Sequence, residues 1–316
     1  MAYNSKVVHK VLSDFENKYK SAVANAEKKK KELYEKIPEF WDIDKKLSGT
    51  YKEIAETMLS PGSDITLKIN GLKKKNQDLC KKRKLLLKKS GYPENYTEPV
   101  YNCPICEDSG YNNEVMCVCL KKALADESLN YSGFGKIVQK QTFENFKYSD
   151  SDKYLKTIYD DCKDFSRSFD KEFSRNLMFI GSAGLGKTHL SSAIAREVID
   201  KGFDVFYDSA QSILYSFEKE RFSRSGTFDP DIIERYMTCD LLIIDDLGTE
   251  YSGNMSVSSL YNLINMRLIN NKSMIISTNL TIEEIKKRYD ERIVSRIFGM
   301  FTILNFIGED VRLKKL

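Results

Sequence analysis

The segment that most constrains this chain is the glycine-rich run GSAGLGKTHL at residues 181–190. It matches the pattern G-x-x-x-x-G-K-[ST]. The apolar run NLMFI precedes it, and a predicted helix ending near Lys201 and Gly202 follows it. In such a strand–loop–helix unit, the loop N–H groups and the helix N-terminus surround a phosphate group. The pattern therefore predicts a nucleotide site.

The residue types within this phosphate loop have separate tasks. Lys187 is expected to reach the β- and γ-phosphates, and the Thr188 hydroxyl is expected to bind Mg²⁺. ATP and Mg²⁺ are the cofactors that such a site implies. The predicted nucleotide-binding set is Gly181, Ser182, Ala183, Gly184, Leu185, Gly186, Lys187, Thr188 and His189.

The run LLIIDDLG at 241–248 is the natural partner of the phosphate loop, because an apolar strand there ends in two carboxylates. Asp245 is expected to hold Mg²⁺ through water, and Asp246 to orient or deprotonate the attacking water. The alternative is an ordinary acidic turn. Many ATPases carry Glu at the second position, and the shorter Asp246 would hold the water less closely.

Short apolar runs alternate with amphipathic segments from about residue 140 onward, which predicts a parallel sheet covered by helices on both faces. The predicted strands are 176–180, 204–208, 241–245, 273–277 and 302–306. The fourth ends in Ser277, Thr278 and Asn279, which can touch a γ-phosphate or the attacking water. The fold class is therefore α/β, with the strand sequence of an additional-strand P-loop ATPase.

Two arginines follow in the segment TIEEIKKRYDERIVSRIFG. Thr281 and Glu284 predict a capping box, after which Arg292 and Arg296 lie i,i+4 on one helical face. Arginines on such a helix can project into a neighbouring subunit and stabilise transition-state charge. The alternative is a surface helix with ordinary basic residues.

Four of the seven cysteines fall within seventeen positions, in the pattern C-x2-C-x10-C-x-C. Cys103, Cys106, Cys117 and Cys119 can complete a tetrahedral zinc site with no open position, which is a structural site. An iron–sulfur cluster is the alternative. A region this short lacks its own core, so Zn²⁺ would supply its folding energy.

The N-terminal region, residues 1–95, is predicted to be helical. Apolar residues recur at helical spacing at Val8, Leu12, Phe15 and Tyr19, and at heptad-like spacing at Ile69, Leu72, Leu79 and Leu86, with Asn76 and Arg83 between them. The first 100 residues carry an excess of basic side chains, which suits a nucleic acid, an acidic protein surface or a solvated face. The stripes predict either a partner-docking module or intramolecular packing.

A long segment between the second and third strands combines basic and aromatic side chains. Lys219, Arg221 and Arg224 lie close to Phe217 and Phe222, a combination that suits single-stranded nucleic acid. The alternative is a helix that packs its rings inward.

Upstream of the phosphate loop, two phenylalanines have two interpretations. Phe143 and Phe146 can approach an adenine, or can dock the linker on the core.

Together these motifs resemble those of the AAA+ ATPases, and more closely those of the bacterial replicative helicase loaders. The resemblance covers most of the chain through GSAGLGKTHL, LLIIDDLGTE, STNL, ERIVSRI, YNCPICEDSGY and KQTFENFKYSD. It implies that Lys187 and Thr188 contact nucleotide and that Asp245 and Asp246 form the acidic pair. It further implies that Asn279 is sensor 1 and that Arg296 is the trans-acting arginine, with Arg292 as the alternative.

The resemblance also implies a domain plan and one departure from it. The expected domains are a helical helicase-docking domain at 1–95, a four-cysteine zinc element at 96–125, a linker at 126–150 and an AAA+ ATPase domain at 151–316. About ten residues follow the last strand, too few for the usual helical lid. Arg312 there can replace a lid arginine or can be a solvated tail charge.

The implied function is an ATP-dependent loader of the replicative DNA helicase hexamer onto single-stranded DNA, self-associated through its ATPase domains, with hydrolysis as a release switch. One alternative is a transposition helper ATPase that binds duplex DNA and engages a transposase; another is a non-catalytic zinc adaptor. With no run of eighteen apolar residues and no signal-peptide pattern, a cytoplasmic protein with no membrane partner is expected.

Overall fold

The computed structural model describes residues 3–59, 65–148, 152–170, 175–222, 230–250 and 254–308. The break SPGSD at 60–64 offers Ser63 or Asp64 as a helix N-cap. These two residues, and the basic residues Arg224 and Arg312, lie outside the described ranges. The chain divides into two compact units. One unit is Asp14–Ser109, and the other combines Met1–Ser13 with Gly110–Leu316.

Three long helices supply most of the first unit: α1 (Ser5–Lys36), α2 (Pro38–Leu59) and α3 (Ile65–Lys89). Helices α2 and α3 pack against each other. The predicted seam of α3 is half-buried throughout, at Ile69, Leu72, Asn76, Leu79, Arg83 and Leu86. Arg83 of α3 contacts α2 directly: its guanidinium pairs with Asp44 at 2.7 Å and lies over the Phe40 ring.

The intramolecular-packing interpretation of the α1 stripe is wrong, and its partner-docking interpretation stays a prediction. Leu12 and Tyr19 are exposed, whereas the buried line on this helix runs through Val7, Val11, Phe15, Ala22, Ala26 and Leu33. The two lines share only Phe15. Ala22 and Ala26 form the middle of the buried line. Their small side chains are less conspicuous in the sequence than the bulkier Leu12 and Tyr19, which are exposed.

From Gly110 onward, the second unit contains a short hairpin followed by an α/β domain. Its elements are β1 (Tyr111–Asn112), β2 (Val115–Met116), α4 (Val118–Ser132), α5 (Gly135–Lys140), α6 (Lys153–Arg167), β3 (Asn176–Gly181), α7 (Lys187–Asp200), β4 (Val205–Ser209), α8 (Ala210–Phe222), α9 (Pro230–Thr238), β5 (Leu241–Leu247), α10 (Asn254–Ile269), β6 (Ser273–Thr278), α11 (Ile282–Arg288), α12 (Glu291–Met300) and β7 (Thr302–Phe306). The five predicted strands are confirmed to within two residues, as is the end of the helix after the phosphate loop.

The five long strands form one parallel sheet in the order β4-β5-β6-β3-β7. Its side chains alternate between two apolar layers. Leu177 and Phe179 face one layer, with α7, while Met178 and Ile180 face the other. Burial on both faces explains why these strands read as continuous apolar runs. Strand β6 lies between β3 and β5, so the carboxyl ends of all three strands meet at one edge.

Within the residues described, no helix is both long and apolar enough to cross a membrane.

Candidate nucleotide site

The phosphate loop connects β3 to α7, and two of its glycines are required by the backbone. Gly181 (φ 154°) and Gly186 (φ 94°) both adopt positive φ. A Cβ at Gly181 would lie 2.3 Å from the carbonyl oxygen of Phe306, and one at Gly186 would lie 2.7 Å from the Phe146 ring. Gly186 also forms the N-cap of α7, so the helix N-terminus opens directly into the loop. This arrangement suits an anion.

Lys187 is the first residue of α7, and its side chain is almost fully buried. Its Nζ donates to the carbonyl oxygens of Gly181 (2.6 Å) and Ser182 (2.8 Å), and to Oδ1 of Asn279 (2.7 Å). The ammonium is thus held inside the loop, beside the end of β6. The predicted loop lysine and the predicted sensor amide are in direct contact.

The predicted magnesium ligands lie side by side. Thr188 Oγ1 donates to Oδ2 of Asp245 at 3.2 Å. Two further hydroxyls donate to the same carboxylate, Tyr207 Oη to Oδ2 at 3.2 Å and Ser277 Oγ to Oδ1. A threonine hydroxyl next to a buried carboxylate is a donor set of hard oxygens, which fits Mg²⁺.

Tyr207 was not singled out by its sequence, because it lies within an apolar strand. Its side chain is fully buried, and its hydroxyl lies between Ser191 Oγ (2.8 Å) and Asp245. Burial and the neighbouring Asp245 carboxylate raise its pKa well above the ordinary value. The phenol therefore stays protonated and orients the carboxylate as a hydrogen-bond donor.

Asp246 has an unusual backbone conformation. Its φ is 55°, in the left-handed region, and the register of β5 against β6 shifts between Ile244 and Leu247. Its N–H donates to Ser277 Oγ at 3.0 Å, and its carbonyl accepts from Thr249 Oγ1 at 2.8 Å. Such a conformation costs about 1–3 kcal/mol and persists when the surroundings enforce it, often at a functional site. The bulge places Asp246, half-buried, beside Asp245.

The three polar residues at the end of β6 divide their roles. Ser277 and Thr278 are fully buried and bond to the acidic strand: Ser277 to Asp245, and Thr278 Oγ1 to the carbonyl oxygen of Leu247 at 2.5 Å. Asn279 is exposed and reaches Lys187. Asn279 thus contacts the phosphate loop, while the other two residues fix the loop after β5.

Glu250 is a second residue that sequence reasoning missed. Its carboxylate is almost fully buried and accepts from the Gly248 N–H at 2.7 Å and from the Tyr289 hydroxyl. Arg288 pairs with it at 3.5 Å and also donates to the Glu250 carbonyl at 2.5 Å. These contacts connect the loop after the acidic strand with the junction between α11 and α12.

The capping box at Thr281 and Glu284 is confirmed, and α12 presents both predicted arginines. Arg296 is half-buried: Nε donates to Asn265 Oδ1 and Nη2 to Tyr261 Oη, each at 2.9 Å. Arg292 is exposed over 65% of its side chain and pairs with Asp290 at 2.8 Å. Both guanidinium groups lie over the Tyr261 ring. Both arginines therefore pack against the Tyr261 ring, but Arg292 is more exposed to solvent than Arg296.

The two linker phenylalanines lie in different environments. Phe143 is buried in the core and meets Tyr159 edge to face. Phe146 contacts the phosphate loop at Gly186, and its ring centroid lies 5.0 Å from that of His189. His189 Nε2 is 2.9 Å from the carbonyl oxygen of Thr142. Phe143 thus docks the linker on the core, and Phe146 borders the predicted nucleotide site.

The basic and aromatic residues of α8 differ in their exposure to solvent. Phe217 packs on the core, which fits the inward-packing interpretation for that ring. Lys219, Arg221 and Phe222 are exposed at the end of the helix, and the Lys219 ammonium lies 4.6 Å from the Tyr215 ring centroid. Two cations and an apolar ring thus face solvent together.

The four clustered cysteines converge: the Sγ atoms of Cys103, Cys106, Cys117 and Cys119 all lie within 4.8 Å of one another. Sulfur atoms at this spacing can hold one tetrahedral ion, so the donor set fits Zn²⁺. Separate hydrogen bonds hold the pair Cys103 and Cys106 and the pair Cys117 and Cys119. Asp108 accepts the N–H of Cys103 at 2.8 Å, and the Gly110 carbonyl accepts the N–H of Cys117 at 2.9 Å.

The strand order and the site define the class of protein. A phosphate loop after β3, a carboxylate pair after β5 and an inserted β6 that ends in Asn279 are the parts of an additional-strand P-loop ATPase of the AAA+ class. The chain belongs to the family of IstB-like ATP-binding proteins, whose model matches residues 125–315.

Two of the similar proteins are named as replication proteins. The replicative helicase loader DnaC of Escherichia coli K12 is 26% identical over 173 residues, which cover 54% of this chain and 68% of the relative. The chromosomal replication initiator DnaA of Campylobacter jejuni is 32% identical over 157 residues, 49% of this chain and 34% of the relative. A crystal structure of the DnaC helicase loader matches with a TM-score of 0.50 at 22% identity, covering 54% of this chain and 99% of that chain. That likeness shows the fold.

Proposed function

We propose that this chain is an ATP-dependent loader of a replicative DNA helicase onto single-stranded DNA. The observation that carries the proposal is the similarity to the helicase loader DnaC over 68% of that relative's length. The helical unit at Asp14–Ser109 supplies a separate body for docking a helicase hexamer. The exposed Lys219, Arg221 and Phe222 supply charges for phosphates and a ring for bases.

In this proposal ATP binding and hydrolysis act as a timing switch. Lys187 and the loop amides hold the phosphates, and Thr188 and Asp245 would hold Mg²⁺. The ion would neutralise developing charge on the phosphate oxygens. Asp246 orients or deprotonates the attacking water, and the Asn279 amide fixes the position of Lys187. An arginine of α12, either Arg296 or Arg292, acts in the site of a neighbouring copy.

Hydrolysis then changes the affinity for the helicase and releases the loader. Zn²⁺ on the four cysteines would stabilise the segment between the helical region and the ATPase domain, a mechanical role, because all four positions are filled by thiolates. The loader would act in the cytoplasm.

Co-elution with the cognate replicative helicase on size exclusion tests the proposal. The mixture is compared with and without ATP, and with Lys187→Ala, which removes the loop ammonium. We expect a complex that forms with wild-type chain and changes with nucleotide, and a variant whose complex does not respond to ATP. Absence of any complex, with intact ATP hydrolysis, would overturn the loader assignment for that helicase.

A transposition helper ATPase is the second candidate, and the match to the IstB-like family favours it. It would bind duplex DNA and engage a transposase. The long helical unit and the cysteine cluster favour the loader instead. Duplex-specific, ATP-dependent DNA binding without helicase binding would be the result expected of the helper.

A further inference from the structure

Helix α3 carries a concentration of positive charge that the proposed function does not use. Its 25 residues include nine lysines and Arg83, against one carboxylate, Asp78. All nine lysines are exposed: Lys68, Lys73, Lys74, Lys75, Lys81, Lys82, Lys84, Lys88 and Lys89. Of these nine, Lys84 alone has an ion-pair partner among the described residues, Glu94 at 3.8 Å. We call these nine side chains the lysine face.

This excess is particular to α3 and is not a general property of the helical region. Helix α1 also has nine lysines, but it carries five carboxylates among them. Two of its lysines pair with glutamates three or four residues away, Lys20 with Glu16 and Lys30 with Glu27. Helix α3 instead places like charges at i,i+3 and i,i+4, as at Lys81, Lys84 and Lys88, which weakens a helix. An anionic partner would offset that repulsion.

The lysines have a regular geometry on the helix. Lys74, Lys81 and Lys88 are spaced by seven residues, so they lie nearly in line, about 10 Å apart and about 21 Å from first to last. This line lies on the side opposite the half-buried seam through Leu72 and Leu79. A straight row of ammonium groups matches an extended polyanion better than it matches a compact one.

We propose that the lysine face of α3 binds the phosphate backbone of a nucleic-acid strand, without reading its sequence. Lysine provides a point charge without the fixed fork of arginine that reads base edges. Lysine is also depleted from the cores of protein interfaces, which need apolar or aromatic anchors. Leu85 is the exposed large apolar side chain described on α3. These observations favour phosphate contacts over docking on an acidic protein.

The test uses the full chain without helicase or nucleotide, so its outcome is independent of the loader assignment. Binding of labelled oligothymidylate is measured by anisotropy from about 50 mM to about 200 mM salt. The variant is Lys74→Glu, Lys81→Glu and Lys88→Glu together. We expect at least a tenfold loss of affinity at low salt and a salt slope smaller by about 2, as three lost phosphate contacts on a single strand require.

The matched control is Lys31→Glu, Lys36→Glu and Lys46→Glu, which changes net charge equally with exposed lysines of α1 and α2. We expect the control to stay within twofold of wild type. An equal loss in both variants would overturn the proposal, because net charge would then explain the effect. Wild-type binding by the α3 variant would also overturn it.

Two further experiments address a glutamate variant that does not fold and binding to a lipid surface. The neutral variant Lys74→Gln, Lys81→Gln and Lys88→Gln retains helix-forming side chains, so it repeats the test if the glutamate variant does not fold. Vesicles of phosphatidylglycerol replace DNA in the second arm. Loss of vesicle binding with unchanged DNA binding would assign the lysine face to a lipid surface and contradict the proposal.

Discussion

Nζ of Lys187 lies 2.7 Å from Oδ1 of Asn279, so the phosphate loop and the end of β6 share a hydrogen bond. The bond crosses between adjacent strands, because β6 pairs with β3 in parallel and Ile180 is in register with Thr278. A side chain one residue past the end of β6 therefore faces the loop that follows β3. This placement gives the amide access to the phosphates that Lys187 is proposed to hold.

Replacing Asn279 with Ala is expected to lower the rate of ATP hydrolysis about 10²-fold, the effect of removing one positioned polar group from a reacting site. Nucleotide affinity should change only a few-fold, because the loop amides and Lys187 remain. Single-turnover hydrolysis and nucleotide titration measure the two effects. Asn270→Ala, an exposed amide at the end of α10, is the control. A loss of affinity equal to the loss of rate would contradict the assignment.

Asp246 is expected to act in hydrolysis and not in binding. Asp246→Asn keeps the side-chain shape and tolerates the left-handed backbone at φ 55°. We therefore expect an unchanged fold, unchanged ATP affinity and a rate lower by about 10²–10⁴-fold, as for loss of a general base. Stopped-flow phosphate release reports the rate. Hydrolysis at the wild-type rate would exclude Asp246 as the base.

The carboxylate of Glu250 is expected to stabilise the domain through Arg288 and Tyr289. Burial, together with the Glu250 carboxylate, raises the pKa of Tyr289, so its phenol remains a donor at neutral pH. Glu250→Gln removes the charge that pairs with Arg288 and should lower the free energy of unfolding by about 2 kcal/mol. Urea unfolding tests this. Glu291→Gln, exposed in the first turn of α12, should leave stability unchanged.

The two arginines of α12 should separate experimentally. Arg296→Ala removes bonds to Asn265 and Tyr261, so it is expected to lower both thermal stability and hydrolysis. Arg292→Ala removes an exposed side chain, so thermal stability should stay unchanged, and concentration-dependent hydrolysis should fall only if Arg292, in place of Arg296, is the trans-acting arginine. Rates measured across a concentration series, alongside melting curves, distinguish the two. A concentration-independent rate in wild type would argue against any arginine acting in trans.

Metal removal tests the cysteine cluster. We expect purified chain to carry one Zn²⁺, and cobalt substitution to give a tetrahedral thiolate spectrum. Chelation, or Cys106→Ser, should make the segment around Cys103–Cys119 sensitive to protease, because metal binding supplies its folding energy. Cys162→Ser, at a buried core thiol, should not release metal. If the anaerobically purified protein is brown and contains iron and sulfide, that result would favour the iron–sulfur alternative.

Much of the ATPase domain could be predicted because its strands are buried on both faces. Residues such as Leu242, Ile243 and Ile244 form an uninterrupted apolar run, and the runs of β5 and β6 end at polar residues that mark the carboxyl edge. Parallel strands bring those ends together. The contact between Lys187 and Asn279 therefore follows from two motifs 92 residues apart.

What could not be predicted depends on tertiary contacts without a local pattern. Glu250 follows Gly248 in a loop, and nothing in its neighbours shows that Arg288 and Tyr289 enclose its carboxylate. In the sequence, Tyr207 resembles the apolar residues of its strand, although its hydroxyl donates a hydrogen bond to Asp245. On α1 the buried line includes Ala22 and Ala26, small side chains that do not stand out in a pattern of large apolar residues.

The most direct test of the central claim is helicase loading on closed circular single-stranded DNA. The cognate helicase is incubated with the circle, with and without this chain and ATP, and helicase retained after a high-salt wash is measured. The account predicts retention with wild-type chain and ATP, and only background retention with Lys187→Ala. Retention that is equal without the chain, or equal with Lys187→Ala, would contradict an ATP-dependent loader.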